Sequence, residues 1–450
     1  MSTHQFTTRT AIAIVVANMI GTGVFTSLGF QLVDIQSTFV LMMLWLVGGV
    51  TALCGALTYA ELGSSLPRSG GEYNFLSEIY HPAAGFISGW ISATVGFAAP
   101  TALAAMTFGA YLEASISGLS ATVMASLLVI TLTLVHAFSH AASGGVQSVF
   151  TLLKVLLIIL FVGLVAFSVE NPQPVTLLPA AGDGTLLISS AFAVSLIYVN
   201  YAYTGWNAAT YIINEVEEPQ RSMPVILFTG TATVLVLYLL LNYTFLYAAP
   251  MAEMTGKIEI GVIVAQFAFG ETGGMIMGIV LATLLISTVS AMVIAGPRVL
   301  QVIGEDFTLF RLLSRKNANQ IPMIAIMTQS AVTLFFILTS TFESVLVFSG
   351  FVMGVNTFFA VAGVFLLRRR LAASELEDTE KSSYTTSYRT WGYPVTPLIY
   401  LGLMAWTLIY ILINRPEEGW AGLGMILAGG LLYLLSEKLG KAKAGDNGLG

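Results

Sequence analysis

Two stretches decide how this chain folds: Asn18-Met19-Ile20-Gly21-Thr22-Gly23-Val24-Phe25 and Tyr201-Ala202-Tyr203-Thr204-Gly205-Trp206-Asn207. Each sets glycines and hydrogen-bonding side chains in the middle of an apolar run of membrane-spanning length. A glycine weakens a helix interior by about 1 kcal/mol relative to alanine, so a continuous helix would avoid it there. Irregular backbone survives at membrane depth only where it is buried in protein or lines a water-filled cavity. Two such interruptions in corresponding places of two halves point to a substrate site between the halves.

Composition agrees. Of the 450 residues, 56% are apolar and 9% charged, against about 25% charged in soluble domains. The predicted fold class is an all-α polytopic membrane protein. Runs of about 17–25 apolar residues, the length needed to cross, fall near 10–32, 38–62, 82–112, 121–141, 147–169, 186–213, 223–248, 273–300, 322–340, 344–367, 396–413 and 420–436, which predicts twelve transmembrane helices. The third and sixth are long enough to be tilted or broken. With the N-terminus inside, the outer loops hold only Lys257 and Arg415 of the 18 basic residues, Lys154 lies within a span, and all the others fall on the inner side. That asymmetry predicts a multi-pass protein of the plasma (inner) membrane with both termini cytoplasmic. The first span shows no small-residue cleavage site, so no removable signal peptide is expected. Cys54 is the single cysteine, so no internal disulfide is possible.

The breaks fall in spans 1 and 6, five spans apart, so the second unit is inverted relative to the first. The predicted organisation is a first repeat over 1–170, a second over 171–370, a polar cytoplasmic loop over 371–395 containing Glu375, Glu377, Asp378 and Glu380, and two further helices with a tail over 396–450.

An unwound segment frees donors at the N-terminus of one half-helix and acceptors at the C-terminus of the other. The N–H groups of Thr22, Gly23 and Val24, with the positive end of the following half-helix, suit a carboxylate, and the Thr22 hydroxyl adds a donor. The carbonyls near Met19 and Ile20, and near Tyr201 and Thr204, suit an ammonium group. Together they describe the backbone of an amino acid. Gly-Thr-Gly on its own reads equally as close helix packing through small residues; the second break favours a site. Tyr201, Tyr203 and Trp206 offer aromatic surface for a side chain or for packing. Asn207 follows the second break, and neither broken segment contains Asp or Glu, so a cationic side chain is not expected there.

Lys154 lies about 12 Å along span 5 from its inner end, at 1.5 Å per residue. Intramembrane ionisable residues are functional candidates, although a lysine near a span end can also snorkel to the surface. Lys154 reads either as a proton carrier or as a fixed charge standing in for a bound sodium ion, and Ser287, Thr288 and Ser290 of span 8 are hydroxyls able to face it. No His/Cys/Asp/Glu cluster has metal-ligand spacing and no Gly-x-x-x-x-Gly-Lys-Ser/Thr loop occurs, so neither a metal, nor a cofactor, nor ATP drive is expected. Rings of carboxylates or repeated filter sequences, which a channel would need, are absent. The longest polar loop is too short for a signalling domain, and no nucleophile–base pair marks an enzyme. The expected partners are a small neutral amino acid and the lipid bilayer, with no nucleic acid.

These residues carry a resemblance. Asn18 to Phe25 resembles the first-span signature of the amino acid–polyamine–organocation superfamily. Tyr59-Ala60-Glu61-Leu62 and Pro67-Arg68-Ser69-Gly70-Gly71-Glu72-Tyr73 resemble that superfamily's first cytoplasmic loop. Tyr201 to Asn207, continuing through Asn214-Glu215 and Glu218-Pro219 to Pro224, is similar to the sixth span and following loop of L-type amino acid transporters. The likeness is specific over about residues 8–300 and rests on span count beyond. It implies a LeuT-like fold of five-plus-five inverted helices with broken helices 1 and 6 and two additional C-terminal helices. It implies that Thr22 and Gly23 take a substrate carboxylate, that carbonyls of Met19, Tyr201 and Thr204 take the amine, and that Tyr201 is the outer gate, where the family usually has Phe or Trp. Lys154 matches the lysine that replaces a sodium ion, and Asn207 points to neutral substrates. The loop after span 3, Ser115 to Ser120, lacks the cysteine that links animal members to a partner, so no disulfide-linked subunit is expected. The resulting expectation is a sodium-independent secondary transporter of neutral L-amino acids working by alternating access, as an exchanger. The alternative is a proton symporter using Lys154, and a channel or sensor on the same scaffold is a distant third.

Overall fold

The computed structural model describes residues 6–66, 68–138, 144–306, 310–317, 321–376 and 388–446. Pro67 and residues 377–387 of the predicted polar loop, including Glu377, Asp378 and Glu380, lie outside them.

The first apolar run forms two helices, α1 (Thr8–Met19) and α2 (Gly23–Asp34). Next come α3 (Thr38–Ser65) and a short α4 (Glu72–Ile79). The third run is also interrupted: α5 (Pro82–Ile91) passes through a π-helical turn at Ser92–Gly96 into α6 (Ala98–Ser115). Then follow α7 (Ala121–Phe138), α8 (Gly144–Ser168) and a short α9 (Asp183–Leu187). The sixth run comprises α10 (Ser190–Ala202), a turn, and a 3₁₀ segment at Ala208–Glu215. The remaining helices are α11 (Pro219–Ala248), α12 (Met251–Met254), α13 (Ile260–Asp306), α14 (Met323–Thr339), α15 (Phe342–Leu376), α16 (Val395–Asn414) and α17 (Pro416–Asp446).

Among the described residues, nine helical bodies are long and apolar enough to cross a membrane. Three shorter apolar helices, Leu153–Ser168, Ser190–Ala202 and Met323–Thr339, lie where the sequence places its remaining spans. Several boundaries differ from the sequence reading. The α4 helix stands inside the first predicted inner loop. A single helical body runs from Ile260 through a bend at Gly270 (φ 74°) into the predicted eighth span. The α15 helix continues past the expected loop start at 371 to Leu376, because Leu371-Ala372-Ala373 are strong helix formers.

Two packing centres position the site. One gathers the sides of α1, α2, α3, α10 and α11 around buried Trp45, Tyr203 and Tyr238. The Tyr203 and Tyr238 rings lie 5.0 Å apart and Trp45 meets Tyr238 edge-on at 5.7 Å. The second joins α6, α7, α13, α14 and α15 through residues such as Leu103, Val129, Val289, Ile337 and Val347. Aromatic pairs of this kind contribute about 0.5–1.5 kcal/mol beyond their buried area.

Polar ties hold the two ends. At the end where α1 begins, Phe6 forms a parallel β-bridge with Val216, its N–H reaching the Glu215 carbonyl (2.5 Å) and its carbonyl accepting from Glu217 N–H (3.0 Å). The first half of the first run and the second half of the sixth are thereby coupled: α1 and the 3₁₀ segment share one strap. Nearby, Arg368 on α15 makes a bidentate pair with Glu61 on α3 (2.7 and 2.8 Å), and the Thr390 N–H and hydroxyl complete that carboxylate's shell at 2.7 and 2.6 Å. The guanidinium also lies 3.6 Å from the centre of the Tyr393 ring. This cluster fastens the approach to α16 onto the core. At the opposite end, Phe30 stacks on Phe342 (5.6 Å), Tyr198 donates to Glu343 (2.6 Å), and Arg415 pairs with Glu343.

Candidate functional site

Both predicted breaks are present and they meet. The first helix stops at Met19 because the next two N–H groups bond locally: Ile20 to the Val16 carbonyl (3.0 Å) and Gly21 back to the Met19 carbonyl (2.9 Å). Helix α2 starts afresh at Gly23, so the first N–H groups of its opening turn have no intrahelical acceptor, while the Phe25 N–H already reaches the Thr22 carbonyl (3.0 Å). In the sixth run, Gly205 takes φ +101°, a conformation open to glycine, and reverses the backbone between Ala202 and Ala208. A Cβ there would lie 2.7 Å from the Asn18 carbonyl group, so the second break is seated directly on the first. Gly23 makes the reciprocal approach: a Cβ on it would come within 2.6 Å of Ala202 Cα. Gly21 is different, its nearest neighbour being the Met19 oxygen at 4.0 Å. The glycines of the first break therefore divide their tasks. Gly23 serves contact between the half-helices, and Gly21 faces open space.

That space is a cavity of about 670 Å³. Its wall includes Met19, Ile20, Gly21, Thr22 and Gly23 from the first break and Tyr201, Tyr203, Thr204 and Asn207 from the second. It extends along Ile14 and Thr10 of α1 and Tyr211 and Ile212 of the 3₁₀ segment, toward the end at which α1 begins. Phe30, Tyr198 and Phe342 pack at the other end. Val24, expected at the site, is buried in the core and is not part of the wall.

The freed carbonyls are partly committed. The Tyr238 hydroxyl on α11 approaches the Met19 carbonyl (2.6 Å) and the Ala202 carbonyl (3.1 Å), bridging the ends of α1 and α10. The Met19 oxygen also accepts from the Gly21 N–H (2.9 Å), so both of its lone pairs are engaged. The Tyr201 oxygen, expected to take an ammonium, already accepts from the Thr204 N–H (3.0 Å) and hydroxyl (2.6 Å), which uses both of its lone pairs. The Tyr201 ring is 7% exposed, against the α13–α15 side of the cavity. Tyr203 turns its ring away from the cavity to donate to the Trp45 carbonyl (3.2 Å) and contributes backbone to the wall. The Thr22 hydroxyl makes no capping bond.

Lys154 on α8 stands beside the first break and donates to Thr288 Oγ1 (2.6 Å) on α13. With Gly21, Thr22 and Thr288 it also borders a second cavity of about 20 Å³, roomy enough for one water molecule at about 10–15 Å³. Ser290, predicted alongside Thr288, instead meets His136 Nε2 (2.8 Å). The Ser287 hydroxyl is buried with no partner among the described residues. Helical geometry explains the split: at about 100° per residue, positions 287 and 290 point away from the face that 288 presents to Lys154.

The sequence reading missed Tyr238, Glu72, Tyr59 and Tyr211. Glu72, at the first turn of α4, is 2% exposed and lies on the cavity wall. Its Oε1 accepts from Tyr59 OH (3.0 Å) and from Asn207 Nδ2; its Oε2 accepts from Tyr211 OH (2.5 Å). The carboxylate absent from both broken segments is thus delivered to Asn207 from α4. Two signals were available. A mid-span tyrosine needs a hydroxyl partner, and Glu72 follows Gly70-Gly71, where positive φ values turn the chain back toward the bundle.

A multi-pass membrane protein with a central cavity at two interrupted helices is the class that this fold and site define. The amino acid permease family model matches residues 6–433, and the chain belongs to that family, within the amino acid–polyamine–organocation superfamily of transporters. It is similar to the large neutral amino acids transporter small subunit 2 of Rattus norvegicus, 26% identical over 441 residues that cover 94% of this chain and 79% of the relative. It is also similar to the b(0,+)-type amino acid transporter 1 of Homo sapiens (24% identical, covering 94% and 85%) and to the cystine/glutamate transporter of Homo sapiens (24%, covering 79% and 72%). The relatives are transporters, not enzymes.

Proposed function

We propose that this protein is a sodium-independent carrier of neutral L-amino acids that works by alternating access and operates as an exchanger. Twelve membrane crossings arranged as two inverted five-helix repeats plus α16 and α17, in the plasma (inner) membrane with both termini in the cytoplasm, complete the proposal. On that orientation the cavity is open to the cytoplasm, and no disulfide-linked subunit is required.

The observation that carries the reading is the seating of the two breaks on each other at one cavity, with Lys154 beside the first. The N–H groups at Thr22 and Gly23, at the positive end of α2, would hold the substrate carboxylate. The Thr204 carbonyl would hold the ammonium, joined by the Met19 carbonyl as the Gly21 N–H gives way to the substrate. Tyr201 would cover the outer side as the gate. The Lys154 ammonium, donating to Thr288, supports a fixed charge that stabilises the carbonyl-rich end of the break, the place a sodium ion would otherwise take. The Phe6–Val216 strap supports joint movement of α1 and the 3₁₀ segment when the cavity closes.

Counterflow into proteoliposomes tests it. Preloaded unlabelled leucine should drive uptake of labelled leucine in the absence of sodium and of a proton gradient. Uptake into empty vesicles that requires an inward proton gradient would instead establish symport.

A further inference from the structure

Lys154 and Glu72 are the two charged side chains on the described cavity wall, one beside each break. Lys154 donates to Thr288; Glu72 is turned to a different task. Its oxygens receive three neutral donors and, among the described residues, no ion pair. Of the three arginines at the end of α15, Arg368 pairs with Glu61, Arg370 donates to the Glu78 carbonyl (3.0 Å) and Arg369 is exposed.

The consequence falls on Asn207. An amide carries two N–H donors on nitrogen and an acceptor on oxygen. Asn207 Nδ2 donates to Glu72 Oε1 and lies 3.4 Å from the Tyr211 oxygen. Tyr211 spends its single proton on Glu72 Oε2, so its oxygen is free to accept from Asn207. The network closes in one sense only. Reversing the amide would set Asn207 Oδ1 against a carboxylate oxygen, acceptor against acceptor, and would forfeit a charge-assisted hydrogen bond. Both amide donors are thereby consumed, and the atom left on this cavity-lining side chain is Oδ1.

We infer that Glu72 is a positioning residue for specificity: it locks the Asn207 amide with its oxygen available to the cavity, so that among neutral amino acids with polar side chains the site favours those ending in an N–H or O–H donor. Amide side chains such as that of glutamine fit; side chains that can only accept do not. This inference rests on the carrier reading and names the substrate class within it.

The test compares two neutral substrates of equal length, L-glutamine and L-2-amino-5-oxohexanoic acid, whose methyl ketone replaces the donor amide by an acceptor-only group. Counterflow KM values are taken for both, with alanine, which has neither donor nor acceptor in its side chain, as internal reference. The wild-type protein should favour glutamine by about three- to tenfold, the worth of one net hydrogen bond. Glu72→Gln, nearly isosteric but able to pair with either orientation of the amide, should bring that ratio to about one; a role in folding alone would alter expression and Vmax and leave the ratio in place. Should that variant not be recovered folded, Glu72→Asp, which withdraws the carboxylate from Asn207, should lower the ratio in its stead. A wild-type ratio at or below one, or a variant that keeps the full preference, overturns the inference. Alanine exchange in the wild type together with an inverted ratio sinks the specificity argument alone, whereas absence of all exchange removes the carrier reading and the inference with it.

Discussion

Replacing each glycine of the first break by alanine separates the work of the two positions. At Gly23 the added methyl would stand 2.6 Å from Ala202 Cα and 2.8 Å from Ala202 Cβ. Ordinary carbon contacts lie at about 3.5–4.0 Å, so α2 and α10 would have to part by about 1 Å, and the obstructing atom is backbone that cannot rotate aside. Overpacking of this sort costs about 1–3 kcal/mol. Relief of glycine's helix penalty returns at most about 1 kcal/mol, so Gly23→Ala is expected to be net destabilising by about 0–3 kcal/mol. At Gly21 the new methyl meets nothing nearer than 4.0 Å and enters the cavity. Gly21→Ala should therefore keep wild-type stability or gain a few tenths of a kcal/mol from a stiffer unfolded chain. Thermal unfolding in detergent, read by loss of the monodisperse chromatographic peak, measures the first effect, and the KM of amino acid counterflow measures the second. Gly23→Ala should unfold at lower temperature; Gly21→Ala should unfold normally and show a raised KM. If Gly23→Ala matches the wild type in both, or Gly21→Ala is the unstable one, the division of labour argued from the two approaches is wrong.

Three other perturbations follow from the same geometry. Tyr238→Phe removes the hydroxyl between the Met19 and Ala202 carbonyls and should destabilise the joined breaks by about 1–3 kcal/mol, the cost of leaving a buried acceptor unsatisfied; counterflow rate and thermal stability should fall together, and unchanged values in both would dismiss the bridge. Arg368→Met leaves the Glu61 carboxylate, 1% exposed, without its cation, and a broken buried pair costs about 3–5 kcal/mol; a melting temperature equal to wild type would show that Thr390 suffices. Asn207→Asp, which sequence alone would have offered as a route to cationic substrates, sets a carboxylate against Glu72 and removes its donor; near-complete loss of exchange for neutral and cationic amino acids alike is expected, and a gain of lysine uptake would contradict the assignment of the Glu72 network.

The parts of this structure that could be read in the sequence are those encoded locally. Gly21-Thr22-Gly23 and Gly205 interrupt their own helices, so the breaks announce themselves, and the length of the third apolar run hints at the π turn near Ser92–Gly96. Lys154 was legible for a different reason, since a charge among apolar neighbours is costly whatever surrounds it. The contacts that finish the site are long-range and leave no periodic trace. Tyr238 reaches Met19 across 219 positions of chain, and Glu72 reaches Asn207 across 135. Ser287, Thr288 and Ser290 looked equivalent in one dimension, and only the rotation of α13 against α8 and α7 gives Thr288 to Lys154 and Ser290 to His136. Asn207 was read from the absence of acids in its own segment, and the carboxylate that α4 brings to it leaves no local trace.

The central claim is that amino acids occupy the cavity between the two breaks. Cys54 is the only cysteine and is buried, so Cys54→Ala provides a background in which Ala208→Cys places one thiol on the cavity wall. The most direct measurement is the rate at which a membrane-impermeant maleimide modifies that thiol from the side where α1 begins, with and without saturating leucine. The account predicts labelling in the empty carrier and a severalfold slower rate with leucine. A rate indifferent to leucine, in protein that exchanges leucine in the same vesicles, would place the substrate somewhere else.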